Sequence, residues 1–213
     1  MISKRKDKLA RFFRPFAKVL EKTHVSPNAI TVVGFLLTLL IIPLTISSNY
    51  SLAGAIVIVA GLFDVLDGAL ARLTDRVTVR GGFIDSVLDR YSDAIIMITI
   101  IYAGLCNIVW GFVALIGSLL VSYSRARVEA FGVKRFVVGF AERPVRLLLI
   151  AFSFFLENWF PKILNYTIIA LAILTHLTVL QRSILAKDAL SEVDQEREKH
   201  TKNNARSKQQ IPV

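Results

Sequence analysis

The stretch Asp64-Val65-Leu66-Asp67-Gly68-Ala69-Leu70-Ala71-Arg72, followed after eight residues by Gly81 and then by Asp85 and Asp89, places four carboxylates inside segments that are otherwise apolar and of membrane-crossing length. An ionised side chain at the centre of a membrane helix costs about 2.5–3.5 kcal/mol on the insertion scale, so such a set requires compensating charge. Its presence decides how the rest of the chain is read.

The surrounding composition is that of a membrane protein. The 213 residues are 54% hydrophobic, with a mean hydropathy of +0.56, which is more apolar surface than one soluble core can take up. An all-α bundle of six transmembrane helices is expected, over Ala29 to Ile46, Leu52 to Leu73, Gly82 to Leu105, Ile108 to Ser124, Pro144 to Leu156 and Ile163 to Leu185. The second and third spans turn polar along one side, as helices lining a wet cavity do. The fifth is short, and is expected to be tilted or partly embedded. No internal repeat is evident.

Charge sets the orientation. Nearly every Lys and Arg falls in the N-terminal segment, after the second span, between the fourth and fifth, or after Leu185, while the opposite side carries only Lys162. The positive-inside rule then places both termini and the aspartate-rich face in the cytoplasm. The formal net charge of +10 is accounted for by topology and by anionic headgroups, and does not suggest nucleic acid as a partner. No cleavable leader is expected, because the first apolar stretch follows more than twenty basic and aromatic residues.

Three regions follow from this. Residues 1–25 repeat Leu9, Phe12, Phe13, Phe16 and Leu20 at helical spacing, with Lys4, Arg5, Lys8, Arg11, Arg14 and Lys18 in the other directions. That is the pattern of an amphipathic helix lying in the headgroup plane. Residues 26–187 are the bundle, opened by Ser26-Pro27, a favoured N-cap followed by a residue tolerated at the first helical position. Residues 188–213 read as a polar tail, a short helix followed by disorder.

Asp64 and Asp67 are spaced i,i+3 and Asp85 and Asp89 i,i+4, so each pair projects from one helix face. Gly68 and Ala71 leave room beside the first pair, and Gly81-Gly82 is expected to supply the turn that brings the second pair alongside. Oxygen ligation with no His or Cys nearby favours Mg2+, Mn2+ or Ca2+ over Zn2+. Four carboxylates suit two such ions, an arrangement able to clamp a diphosphate during an in-line displacement. The bland alternative is a salt-bridge network with Arg72, Arg90 and Arg146. Asp93, one turn past Asp89, is open to two readings, tuning of the site or a pair with Arg90 at i,i+3, of which the pair is the one expected.

The pattern D-x2-D-G-x2-A-R-x8-G-x3-D-x3-D resembles the signature of the CDP-alcohol phosphotransferases, membrane enzymes that join a CDP-linked lipid or polyol to an alcohol and release CMP. The resemblance implies a six-span fold covering most of the chain, and a homodimer. It implies two metal ions, Mg2+ or Mn2+, on Asp64, Asp67, Asp85 and Asp89, with Asp89 also the base that activates the acceptor hydroxyl. Asn28, Thr31, Gly68, Ala71, Arg72 and Thr78 would hold the CDP-lipid donor. The local alternative for Asn28 and Thr31 is helix capping and ordinary backbone bonding.

A second cluster bears on the acceptor. Ser122-Tyr-Ser-Arg125-Ala-Arg127-Val-Glu129, and later Glu142-Arg143-Pro144-Val-Arg146, gather arginines at the inner ends of the fourth and fifth spans, with Arg182 near the inner end of the sixth. Arginine is suited to multidentate phosphate recognition. The pattern is similar to the phosphatidylinositol-phosphate and archaetidylinositol-phosphate synthases, which implies a phosphorylated polyol acceptor, 1L-myo-inositol 1-phosphate, bound by Arg125, Arg143, Arg146 and Arg182. Arg125 stands where lysine is common there, and Val145 where a charged residue is usual. The donor implied is CDP-archaeol or CDP-diacylglycerol. The alternatives are glycerol 3-phosphate as acceptor and a di-myo-inositol-phosphate-phosphate synthase. A more remote one is a divalent-cation transporter, which would need polar residues continuing to the outer face.

The remaining candidates have ordinary readings. Cys106 is a small hydrophobe at a helix junction, His176 a locally bonded core residue, and Trp110 and Trp159 interfacial anchors. Ala103, Gly104, Gly111 and Gly117 permit close helix packing.

Overall fold

The computed structural model describes residues 25–133, 139 and 141–209. The amphipathic segment expected over residues 1–25 lies, but for its last residue, outside them. Among the described residues seven helices run in chain order: α1 Pro27–Leu39, α2 Ile41–Ile46, α3 Tyr50–Leu73, α4 Val79–Tyr102, α5 Ile108–Ala130, α6 Arg143–Leu156 and α7 Ile163–Gln209. No strand occurs among the described residues.

Each boundary has a local cause. Ser26 caps α1, its Oγ accepting from the Ala29 amide at 3.2 Å, with Pro27 at the first helical position. The first expected span is divided at Leu40. Pro43 has no N–H to donate to the carbonyl of Leu39, where α1 ends, and its ring crowds that carbonyl. Asn107 caps α5, accepting from the amides of Val109 and Trp110. The start of α7 is held from outside the helix: both oxygens of buried Glu157 accept amides, from Lys162 and from Leu164, each at 2.8 Å.

Among the described residues four stretches are long and apolar enough to cross a membrane, Pro27–Ile46, Tyr50–Leu73, Ile108–Ala130 and Ile163–Gln195. The chain is a multi-pass membrane protein. The other two expected spans differ for physical reasons. The cytoplasm-proximal half expected for α4 carries Asp85, Asp89, Arg90 and Asp93, and α6 has 14 residues, about 21 Å at helical rise against roughly 30 Å of hydrocarbon. The tail reading is corrected as well. In place of a short helix and disorder, α7 continues to Gln209, a stretch rich in the good helix formers Lys, Glu, Gln and Ala. Its Leu190 packs with Val128, Val133 and Ala186 against the end of α5.

Side chains exposed on the bundle are largely aliphatic or aromatic, among them Leu36, Leu52, Val109, Phe152, Leu177 and Ile184. Helices immersed in lipid gain no hydrophobic free energy by meeting one another, so association rests on close packing. Two glycines make it possible. A Cβ at Gly54 would stand 2.8 Å from the Ala151 carbonyl, which sets α3 against α6. One at Gly117 would overlap Thr175 Oγ1, which sets α5 against α7. Between them lies a core of Ile41, Val57, Ile100, Phe154, Ile168 and Leu171. Gly111 serves packing within the chain too, facing Ile101 and Cys106. Burial pushes the Cys106 thiol up to about 11, which suits an inert small hydrophobe. His176 is locally bonded, its Nδ1 2.9 Å from the Ala172 carbonyl, but its side chain is exposed on α7 and not in the core.

Candidate active site

The turn that joins α3 to α4 and lets their carboxylates face one another is Thr74–Thr78, with Asp75 in the left-handed region at φ 53°. It is not Gly81-Gly82, as the sequence had suggested. Thr78 caps α4, its Oγ1 accepting from the Gly81 amide at 3.0 Å, so the helix has already begun when the glycines arrive. Gly81 has a different use. A Cβ there would stand 2.9 Å from Asn28 Oδ1 and 2.9 Å from Thr78 Oγ1, so the bare backbone lets α1 approach the start of α4.

Asp64, Asp67 and Asp85 converge, each offering an oxygen within 4.8 Å of the others. Asp67 is buried, and the Thr31 hydroxyl of α1 donates to its Oδ2 at 2.5 Å. Asp85 Oδ1 is buried without a hydrogen-bond partner among the described residues. Three hard oxygen donors at this separation, one of them unsatisfied, fit a divalent cation such as Mg2+ or Mn2+. Asp89 stands one turn along α4, where its two oxygens meet Arg143 at 2.8 Å and Arg90 at 3.2 Å.

The sequence had grouped Arg143 with a phosphate pocket. In the structure it belongs to the carboxylates: Nη1 ion-pairs with Asp64 at 3.0 Å and Asp89 at 2.8 Å, and Nε donates to Asp93 at 3.1 Å. Nη1 has the charge contacts without a well-angled hydrogen bond. Asp93 is also corrected. It does not pair with Arg90, which faces Asp89; it takes Arg143 on Oδ1 and Arg146 on Oδ2, the latter at 2.6 Å. The sequence favoured the Arg90 pair over a part in the site, although the i,i+4 spacing of Asp93 from Asp89 put it on the same helix face.

The other arginines sort by neighbour. Arg146 is 3% exposed and also donates to the Ala141 carbonyl at 2.8 Å. Arg182, 3% exposed, donates to the Val121 carbonyl, and the charges acting on it include Arg125, Arg146, Glu129 and Glu142. Arg125 forms a 3.0 Å pair with Glu129. Arg127 instead lies over the Phe131 ring, 4.4 Å from its centroid. Of the residues expected to hold a nucleotide, Thr31 is engaged with Asp67 and Asn28 lies by Gly81. Arg72 is exposed and folds back so that Nη1 would lie 3.3 Å from a Cβ at Gly68, while Ala71 accepts the Arg76 amide at the helix end.

An apolar helical bundle holding an oxygen-donor cluster beside buried arginines defines a membrane-embedded protein equipped for a divalent cation and for phosphate chemistry. Residues 24–180 match the CDP-alcohol phosphatidyltransferase family model, and the chain belongs to that family. It is therefore a transferase of phospholipid synthesis. The chain is 40% identical over 190 residues to the archaetidylinositol phosphate synthase of Pyrococcus horikoshii, covering 89% of this chain and 98% of that one. It is similar to the crystal structure of Mycobacterium tuberculosis phosphatidylinositol phosphate synthase with CDP-DAG bound, at 26% identity and a TM-score of 0.74, covering 83% of this chain and 94% of that one. A structure of the same mycobacterial enzyme with manganese and citrate gives 27% identity and a TM-score of 0.72, over 81% and 87% of the two chains.

Proposed function

We propose that this enzyme transfers the phosphatidyl or archaetidyl group of CDP-diacylglycerol or CDP-archaeol to 1L-myo-inositol 1-phosphate, releasing CMP. The observation that carries the acceptor is the gathering of guanidinium groups beside the carboxylate cluster. Arg146 and Arg182 are both 3% exposed, and the charges of Arg125 and Arg146 act on Arg182. Guanidinium groups held close together out of water repel one another and are stabilised by an anionic ligand, and a phosphomonoester brings the charge and the acceptors. The P. horikoshii relative, matched over 98% of its length, supports the same acceptor.

On this reading Asp64, Asp67, Asp85 and Asp89 hold two ions, Mg2+ or Mn2+. When bound, such ions supply Lewis-acid charge that polarises the diphosphate and offsets the charge leaving with CMP. Asn28, Thr31, Gly68, Ala71, Arg72 and Thr78 hold the CDP part of the donor. Arg125, Arg146 and Arg182 fix the acceptor's phosphate, which orients its free hydroxyl. Asp89 takes the proton of that hydroxyl as its oxygen attacks the lipid-bearing phosphorus. The bond from that phosphorus to the bridging oxygen breaks, and CMP departs with the bridging oxygen. Arg143, paired with both Asp64 and Asp89, keeps those side chains aligned.

The same reading has all six expected spans in the membrane, α1 and α2 counting as one and the short α6 partly embedded, with both termini and the carboxylate face in the cytoplasm by the positive-inside rule. It has the enzyme working as a homodimer in the cell membrane. The test is CMP release by the purified protein with Mg2+ and either CDP-archaeol or CDP-diacylglycerol, offered inositol 1-phosphate, inositol, glycerol 3-phosphate or serine separately. Release that requires inositol 1-phosphate is expected. Release only with glycerol 3-phosphate overturns the acceptor and keeps the class, and the better donor decides the lipid chemistry.

A further inference from the structure

Asp93 lies outside the family-like aspartate run, yet it is 8% exposed and both of its oxygens are engaged by arginines of α6. Arg143 Nε donates to Oδ1 at 3.1 Å and Arg146 Nη2 to Oδ2 at 2.6 Å. The two arginines are one turn apart at the start of α6, so a single carboxylate from α4 spans them. Their other partners differ. Arg143 is also paired with Asp64 and Asp89. Arg146 has no second carboxylate among the described residues, only the Ala141 carbonyl at 2.8 Å.

We infer that Asp93 is a positioning residue for acceptor recognition: it fixes the Arg146 guanidinium beside Arg182 and ties that pocket to the carboxylate cluster through Arg143. The inference rests on the proposed reading that a phosphorylated acceptor binds at Arg146 and Arg182. A guanidinium clamped on one edge keeps its remaining N–H groups in a fixed plane, ready for phosphate oxygens without reorganisation. Asn at position 93 would be nearly isosteric but uncharged, and would turn an amide N–H toward one of the arginines. Arg143 would stay tethered by Asp64 and Asp89. Arg146 would keep only the Ala141 carbonyl and lose its carboxylate, so the damage falls on acceptor binding and not on the metal or nucleotide side.

The experiment uses the full-length protein with Mn2+ and CDP-lipid, and measures initial CMP release as inositol 1-phosphate is varied. The variants are Asp93→Asn, Asp93→Glu, Arg146→Lys and the Asp93→Asn/Arg146→Lys pair. Asp93→Asn is expected to raise the acceptor KM about tenfold or more, with kcat and the CDP-lipid KM held within about threefold. Asp93→Glu recovers part of the loss. The double variant is expected to be no worse than the more severe single, because both act through one guanidinium. An unchanged acceptor KM, a loss confined to kcat, or fold-changes that multiply in the double variant would overturn the inference. Should Asp93→Asn give no folded protein by thermal melt, the cycle of Asp93→Glu with Arg146→Lys is read by the same rule. A wild-type enzyme that releases CMP only with an unphosphorylated alcohol ends the acceptor reading and this inference with it. Dependence on a phosphorylated acceptor with an unaffected Asp93→Asn variant ends this inference alone.

Discussion

Arg143 Nη1 stands 2.8 Å from Asp89 Oδ1, joining the first residue of α6 to the middle of α4 across the mouth of the carboxylate cluster. The same nitrogen reaches Asp64 on α3 at 3.0 Å, so one guanidinium ties three helices together. The arginine supplies positive charge that Asp64 and Asp89 need when no divalent cation is bound.

Arg143→Ala should therefore destabilise the metal-free protein sharply, by about 3–5 kcal/mol if it behaves as other broken buried pairs do. Added Mn2+ should then raise the melting temperature of the variant by more than it raises that of the wild type, since the ion meets charge that the arginine no longer balances. Melting curves in detergent with and without Mn2+ read this directly. Equal metal-induced shifts in the two proteins would mean that Arg143 does not share its carboxylates with the ion.

Thr31 and Asp67 offer a second test. The Thr31 hydroxyl donates to Asp67 Oδ2 at 2.5 Å, orienting a buried carboxylate from a neighbouring helix. Thr31→Val keeps the shape and removes the donor, and partners that orient metal ligands are worth about 10–100-fold in metal affinity. The Mn2+ concentration giving half-maximal CMP release should rise by about that factor, with Thr31→Ser close to wild type. A Val variant with unchanged metal dependence would leave Thr31 as an ordinary helix residue.

Much of this site is legible in the chain, and the part that is not has a physical reason. The i,i+3 and i,i+4 spacings of Asp64, Asp67, Asp85 and Asp89 fix their helix faces, because helical periodicity is local. The Asp93 partners sit 50 and 53 residues away on α6, and no periodicity reports which arginine crosses to which carboxylate. The local guess, Arg90, has a side chain 36% exposed and turns to Asp89. Gly81 shows the same limit. A Gly-Gly pair between two helices suggests a turn, but the structure uses Gly81 for the approach of Asn28 from another helix. Thr78, whose cap decides where α4 begins, was expected to serve only as a nucleotide ligand.

Gly81 and Gly82 can be separated by experiment. A methyl group at Gly81 would press on Asn28 Oδ1 and Thr78 Oγ1, each 2.9 Å from the Cβ position, whereas Gly82 has nothing within 4 Å. The Asn28 amide is exposed and can move, so Gly81→Ala should fold but lose the placement of Asn28. Its CDP-lipid KM should rise severalfold while the acceptor KM stays the same. Gly82→Ala should keep both constants and gain up to about 1 kcal/mol from helix propensity. If the two variants behave alike, the approach of α1 to α4 has no part in donor binding.

Asp89 carries the sharpest claim about chemistry. It is the carboxylate assigned to take the acceptor's proton, and it is held by Arg143 and Arg90 at 2.8 Å and 3.2 Å. As a base it takes the proton while the attacking hydroxyl becomes more acidic in the transition state. Asp89→Asn retains an oxygen for one arginine and cannot take the proton. CMP release should fall by about 10²–10⁴-fold or more, while CDP-lipid binding, measured by the concentration dependence of thermal stabilisation, should persist. A parallel Mn2+ titration separates the two roles proposed for this side chain. If activity returns at high Mn2+, the loss was of metal; if it stays low at saturating metal, the missing function is the base. Turnover near the wild-type rate would remove Asp89 from the chemical step and leave the proton to another acceptor.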